Sequence, residues 1–91
     1  MTWEASLDDL ERRLAAQGGR GRRLSPRTQA AYLADARRLA GWLESHGVPG
    51  PEAVGPSALE AAFRGLGWSA GTRARAVTSA REWLAPLHPP G

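Results

Sequence analysis

The sequence contains no cysteine, no lysine and no long apolar run. Without cysteine there are no disulfide staples, thiolate zinc sites or cysteine nucleophiles, which fits a reducing cytoplasm. The apolar runs span only a few residues, too short for a membrane-spanning helix or the core of a signal peptide. A soluble cytoplasmic chain is expected. Length adds a further bound, because 91 residues make one small domain. A chain of this size buries only about 60–65% of the surface that its unfolded form exposes. So thin a core leaves little room for an active-site cleft beside it.

The absence of lysine concentrates all twelve basic charges in arginine, against nine acidic residues, for a net charge of +3. Arginine offers a planar fork suited to phosphate and guanine edges, where lysine offers a compact point charge. A coding bias toward arginine accounts for the missing lysines equally well, and both readings stay open. Neither explains where the charges sit. Residues 1–11 carry Glu4, Asp8, Asp9 and Glu11 and no base. Residues 12–38 carry Arg12, Arg13, Arg20, Arg22, Arg23, Arg27, Arg37 and Arg38 against Asp35 alone. Residues 39–63 are acidic again, with Glu44, Glu52 and Glu60, and residues 64–91 set Arg64, Arg73, Arg75 and Arg81 against Glu82. This segregation describes a dipolar molecule with a positive face for a polyanion. A solvated face without a partner is the competing reading.

Nothing in the chain alternates like a strand, and the segments between glycine and proline clusters read as four helices. Ser6 and Asp9 resemble a capping box, followed by Leu7, Leu10 and Leu14 on one face until Gly18-Gly19. Ser25-Pro26 sets a cap oxygen before proline at the first helical position. Tyr32, Ala36, Leu39 and Leu43 then form the inner stripe of the longest helix, which ends at His46-Gly47. Pro56 opens a third helix with Leu59, Ala62 and Phe63 inward, ending at Gly65 or Gly67. Ser69 caps a fourth, with Val77, Ala80 and Leu84 inward, and Pro86, Pro89 and Pro90 forbid its continuation. An all-α domain of four helices joined by short loops is predicted. Ser25-x-x-Thr28 and Ser69-x-x-Thr72 form an internal echo of two matching helix starts, each with free N–H groups.

No catalytic constellation emerges. His46 and His88 lie in different segments with no second histidine one turn away, so no metal site is expected, and His46 reads as a cap on the last carbonyls of its helix. Ser25, Ser57 and Ser69 are explained by capping, and Gly18-Gly19-Arg20-Gly21 follows a helix rather than a strand, unlike a nucleotide loop. The second helix is more informative. Arg27, Ala34, Arg38 and Gly41 lie opposite its apolar stripe, with Ala30 and Arg37 beside them. Small residues let a helix backbone approach a groove while flanking arginines reach phosphates or base edges. On the fourth helix Arg75, Thr78, Ser79 and Glu82 are expected outward. Arg73, near the inner edge, must snorkel or pair with an acid.

Leu24-Ser25-Pro26-Arg27-Thr28, Tyr32, Asp35, Arg37-Arg38-Leu39, Trp42-Leu43 and Gly47 together resemble the opening of the core-binding domain of tyrosine recombinases. Val54-Gly55-Pro56 with Leu59 continues the likeness. So do Trp68-Ser69-Ala70-Gly71-Thr72, Arg75, Val77, Ala80-Arg81 and Trp83-Leu84. The resemblance covers residues 7–85. It departs from the family at Gly55, where a threonine cap is usual, and at Ala70-Gly71, where proline is usual. Ala36 and Ala80 stand for larger hydrophobes and Arg73 for an apolar residue.

The resemblance implies a SAM-like core-binding domain over residues 1–85, built from two crossed helical hairpins, with residues 86–91 beginning a linker to an absent catalytic domain. It implies double-stranded DNA as partner and further protomers in a synaptic assembly, with no catalytic residue, cofactor, small-molecule ligand or membrane, and a monomer in isolation. The DNA-contacting positions that match are Arg27, Thr28, Arg38, Thr72 and Arg75, and Arg22 and Arg23 lead into the same face. Two other readings stand beside it. One is a SAM-like protein–protein module whose arginines meet an acidic partner, and the other a structural protein whose charge blocks keep it soluble.

Overall fold

Four α-helices and two short 3-10 turns account for most of the described residues, 1–16 and 24–88 of the computed structural model, among which there is no strand. Helix α1 spans Trp3–Ala16, α2 Pro26–Ser45, α3 Pro56–Leu66 and α4 Ala70–Leu84, with 3-10 turns at Pro51–Ala53 and Ala85–Leu87. The all-α expectation holds. No helix among the described residues is long and apolar enough to cross a membrane.

Local chemistry sets most boundaries where the sequence places them. Ser25 Oγ accepts the Thr28 N–H at 3.1 Å, with Pro26 at the first helical position of α2. Ser69 Oγ accepts the Thr72 N–H at 3.3 Å in the same way. The His46 N–H closes α2 on the Trp42 and Leu43 carbonyls, and Gly47 turns away at φ +89°. At the end of α3, Gly67 takes the left-handed conformation that other residues resist, φ +63°, and donates to the Arg64 carbonyl at 3.2 Å.

One start differs. Helix α1 begins at Trp3, with Thr2 Oγ1 accepting the Ala5 N–H at 3.0 Å, so Ser6 lies inside the helix and is not its cap. The Ser6 hydroxyl donates to the Trp3 carbonyl at 2.6 Å and accepts the Trp83 indole N–H at 2.9 Å. That second bond makes a buried serine compatible with the helix interior. At the other end of the chain, α4 stops at Leu84 as Pro86 requires, and a 3-10 turn carries the chain on to Leu87.

Helix α2 is the centre, packed by α1, α3 and α4, while α1 also touches α4. The first turns of α1 share a cleft with Arg37, Ala40 and Glu44 of α2, and its later turns share one with Pro26, Gln29 and Leu33. The two helices therefore run antiparallel. Leu10, Leu14, Ala36, Leu39, Leu43, Ala62, Ala76, Ala80 and Trp83 fill the core. The small residues Ala36, Ala76 and Ala80 suit close helix approach, and Trp83, 1% exposed, supplies the missing volume. The inward face of α4 is Ala76, Ser79, Ala80, Trp83 and Leu84, with Val77 only half buried. Ser79, expected outward, is fully buried because its hydroxyl has partners inside.

Trp42 ties α2 to α3. Its indole stacks on the His46 ring, centroids 3.7 Å apart, and lies against Gly65. A Cβ at Gly65 would stand 2.6 Å from Trp42 Cε2, which explains a glycine inside a helix.

Candidate nucleic-acid interface

The outer stripe of α2 is built as its periodicity predicts. Arg27, Ala30, Ala34, Arg37, Arg38 and Gly41 are all exposed, while Leu33, Ala36, Leu39, Ala40 and Leu43 are buried and Tyr32 is half-buried. A backbone flanked by alanine and glycine offers close approach along this stripe. Arg27 sits in the first turn, where no acid competes for it. Arg38 lies over the face of Trp68, 5.1 Å from the ring centroid, a cation–π contact that orders the stem without using its N–H groups. Arg22 and Arg23 lie outside the described residues.

Thr28 and Thr72 occupy equivalent places. Each is three residues past a serine cap, and each hydroxyl accepts from the serine Oγ, at 3.0 Å for Thr28 and 3.1 Å for Thr72. Ser25 at φ −63°, ψ 154° and Ser69 at φ −62°, ψ 162° have nearly the same backbone. The echo in the sequence is therefore an echo in geometry. The two threonines serve their caps first, and only their remaining lone pairs and hydroxyl hydrogens are available to a ligand.

Arg75 is placed differently from the simple outward projection expected of it. Its Nε and Nη2 donate to Asp35 Oδ2 and Oδ1 at 2.8 and 2.9 Å, and the Ser79 hydroxyl donates to Asp35 Oδ2 at 3.1 Å. The carboxylate is buried and the guanidinium half exposed. Hydrogen bonding to Asp35, reinforced by its charge, holds the Arg75 guanidinium above its ordinary pKa. An acid four residues before Leu39 stands close to the inner stripe of α2, which is the signal in the sequence. Its partner on another helix left none.

Other arginines are spoken for by the fold. Arg13 donates to the Glu82 and Trp83 carbonyls at 2.6 and 3.2 Å and pairs with Asp9 at 2.8 Å, so it caps the C-terminal end of α4. No local pattern in the sequence signals this role, because the carbonyls it covers lie about 70 residues away. Arg73 pairs with Glu60 at 3.8 Å and lies over the Phe63 ring, as its position at the inner edge required. His46 Nδ1 stands 2.8 Å from the Trp42 carbonyl, the capping role expected of it.

Among the described residues, Arg27 and Arg38 on α2, with Arg64 and Arg81 elsewhere on the surface, form no ion pair, while Arg37 shares its cleft with Glu4, Asp8 and Glu44. No family model matches this chain, and no characterised protein or solved structure is significantly similar to it.

Proposed function

We propose that this chain is the DNA-binding core-binding domain of a tyrosine-type site-specific recombinase, a SAM-like module that grips duplex DNA. Cutting and joining would belong to a catalytic domain outside these residues. One observation carries the reading: the exposed outer stripe of α2 sets Arg27 and Arg38 among Ala30, Ala34 and Gly41, with no acid between them. On a merely solvated helix those gaps hold long polar side chains. The twin serine caps at Ser25 and Ser69 support it, since each exposed helix start keeps a backbone N–H outside its cap bond, that of Arg27 on α2 and those of Ala70 and Gly71 on α4. The reading has the domain a monomer alone and in contact with other protomers only on DNA.

A titration of duplex DNA across a salt series tests it. Saturable binding whose log–log slope is about −0.9 per neutralised phosphate is expected. The absence of a saturable complex with the folded domain at low salt overturns the reading.

A second reading rests on a different surface. An open apolar groove of ≈ 550 Å³ runs between α3 and α4, lined by Val54, Leu59, Phe63, Val77 and Leu84 with Arg81 at its edge. That groove suits a protein–protein module whose partner brings an apolar side chain and an acid. Such a partner would bind equally well when Arg27 and Arg38 are replaced, which separates the two readings.

A further inference from the structure

We infer that Asp35 and Ser79 hold Arg75 so that its free edge reads a guanine in the major groove, an inference that rests on the DNA-binding reading above. The two bonds to Asp35 use Nε and Nη2, the side-on fork of the guanidinium. Both N–H groups of Nη1 and one of Nη2 remain. The end-on fork is thus free, and its plane is set by the carboxylate.

The holding group is itself fixed. Asp35 is 3% exposed on the central helix and takes a third contact from Ser79, whose single hydroxyl hydrogen is shared between the carboxylate and the Arg75 carbonyl, each 3.1 Å away. Arg75 therefore has little rotamer freedom left to lose when its outer edge meets a ligand. Its side chain is 45% exposed, and Gly71, Ala74 and Thr78 around it are short and exposed. Nothing would meet even an added Cβ at Gly71. The helix face can lie close to a base pair.

An end-on fork matches two adjacent acceptors, which describes guanine O6 and N7 or two oxygens of one phosphate. Charge decides between them. Arg75 with Asp35 sums to zero, so the pair neutralises no phosphate and releases no counterion. A base edge needs directed donors rather than net charge. Arg27 and Arg38, which have no acid, are the phosphate-type contacts by the same argument.

The test is selection of bound sequences from a randomised duplex pool by the full chain, Arg75→Lys and Asp35→Asn, with salt titrations and thermal melts of each. The wild type should enrich guanine at one position, and either variant should lose that preference by about tenfold. The salt slope of Arg75→Lys should be unchanged. Asp35→Asn, which removes a negative charge from the face, should bind mixed-sequence DNA as well or better. An unaltered guanine preference in folded Arg75→Lys makes the pair structural only and overturns the inference. A loss of affinity in folded Arg75→Lys that is uniform across sequences, with the guanine preference kept, makes Arg75 a phosphate contact and also overturns it. Should Asp35→Asn fail to fold, Arg75→Lys decides alone. Normal salt-dependent binding with no enriched guanine sinks this inference and leaves the DNA reading standing, whereas no binding sinks both.

Discussion

The Trp83 indole N–H donates to the Ser6 hydroxyl across 2.9 Å, joining α4 to α1 between residues 77 positions apart. Both groups are buried, and the Ser6 hydroxyl passes its own hydrogen to the Trp3 carbonyl. Ser6→Ala should leave the indole donor unsatisfied at a cost of about 1–3 kcal/mol, partly offset by roughly 0.5 kcal/mol of better helix propensity. Urea melts should show the loss. In a Trp83→Phe background the same change should cost far less, because the donor is gone. Ser45→Ala, which removes an exposed hydroxyl from the Trp42 carbonyl, is the control and should stay within about 0.5 kcal/mol.

Gly65→Ala should destabilise the domain even though alanine is the better helix former. Propensity favours the change by about 1 kcal/mol. The new methyl would overlap the Trp42 ring, and overpacking of that kind costs about 1–3 kcal/mol. Near-ultraviolet circular dichroism should report displacement of Trp42. Gly41→Ala, with nothing within 4 Å of its Cβ, should raise the melting temperature instead. A stabilised Gly65→Ala would mean that Trp42 moves aside freely.

Two neighbouring arginines should behave oppositely. Arg13→Gln removes the donors that cover the last carbonyls of α4 and should cost about 1–2 kcal/mol in a chemical melt. Arg12, more exposed and only 3.7 Å from Asp9, should tolerate the same change within about 0.5 kcal/mol. Equal costs would show that Arg13 acts through its charge alone.

The α2 stripe makes a prediction about binding. Arg27→Ala with Arg38→Ala should weaken duplex binding and flatten the salt slope by roughly one unit per lost phosphate contact. Asp8→Asn with Glu11→Gln, on the acidic helix, should leave affinity unchanged or slightly raised. Asp9 is left in place because it pairs with Arg13. Equal losses from both double variants would put the DNA face elsewhere.

The limits of the sequence follow from the range of each interaction. Both ends of α2 were legible because Ser25-Pro26 and His46-Gly47 act within one turn. The start of α1 was misplaced because Thr2 and Ser6 offer the same local cap chemistry, and the partner that takes Ser6 into the helix interior, Trp83, lies beyond any local signal. Ser79 looked solvent-facing for the same reason, its hydroxyl being satisfied by Asp35 on α2. On the candidate face, the exposure of Arg27 and Arg38 followed from helical spacing alone. What Arg75 does with its inner edge did not, because no pattern along one helix says which residue of another it will meet.

The Asp35 contact has a further consequence for how α2 and α4 settle against each other. Its two donors, Arg75 and Ser79, are one turn apart on α4, so the carboxylate acts as a key for a two-tooth lock. A slide of α4 by one turn in one direction would put Ser79 and Trp83 at those places, and in the other Gly71 and Arg75. The first leaves a buried carboxylate facing an indole, and the second replaces one of its donors by a residue with no side chain. The alanine-rich seam, which by shape alone would accept several alignments, is thereby confined to one.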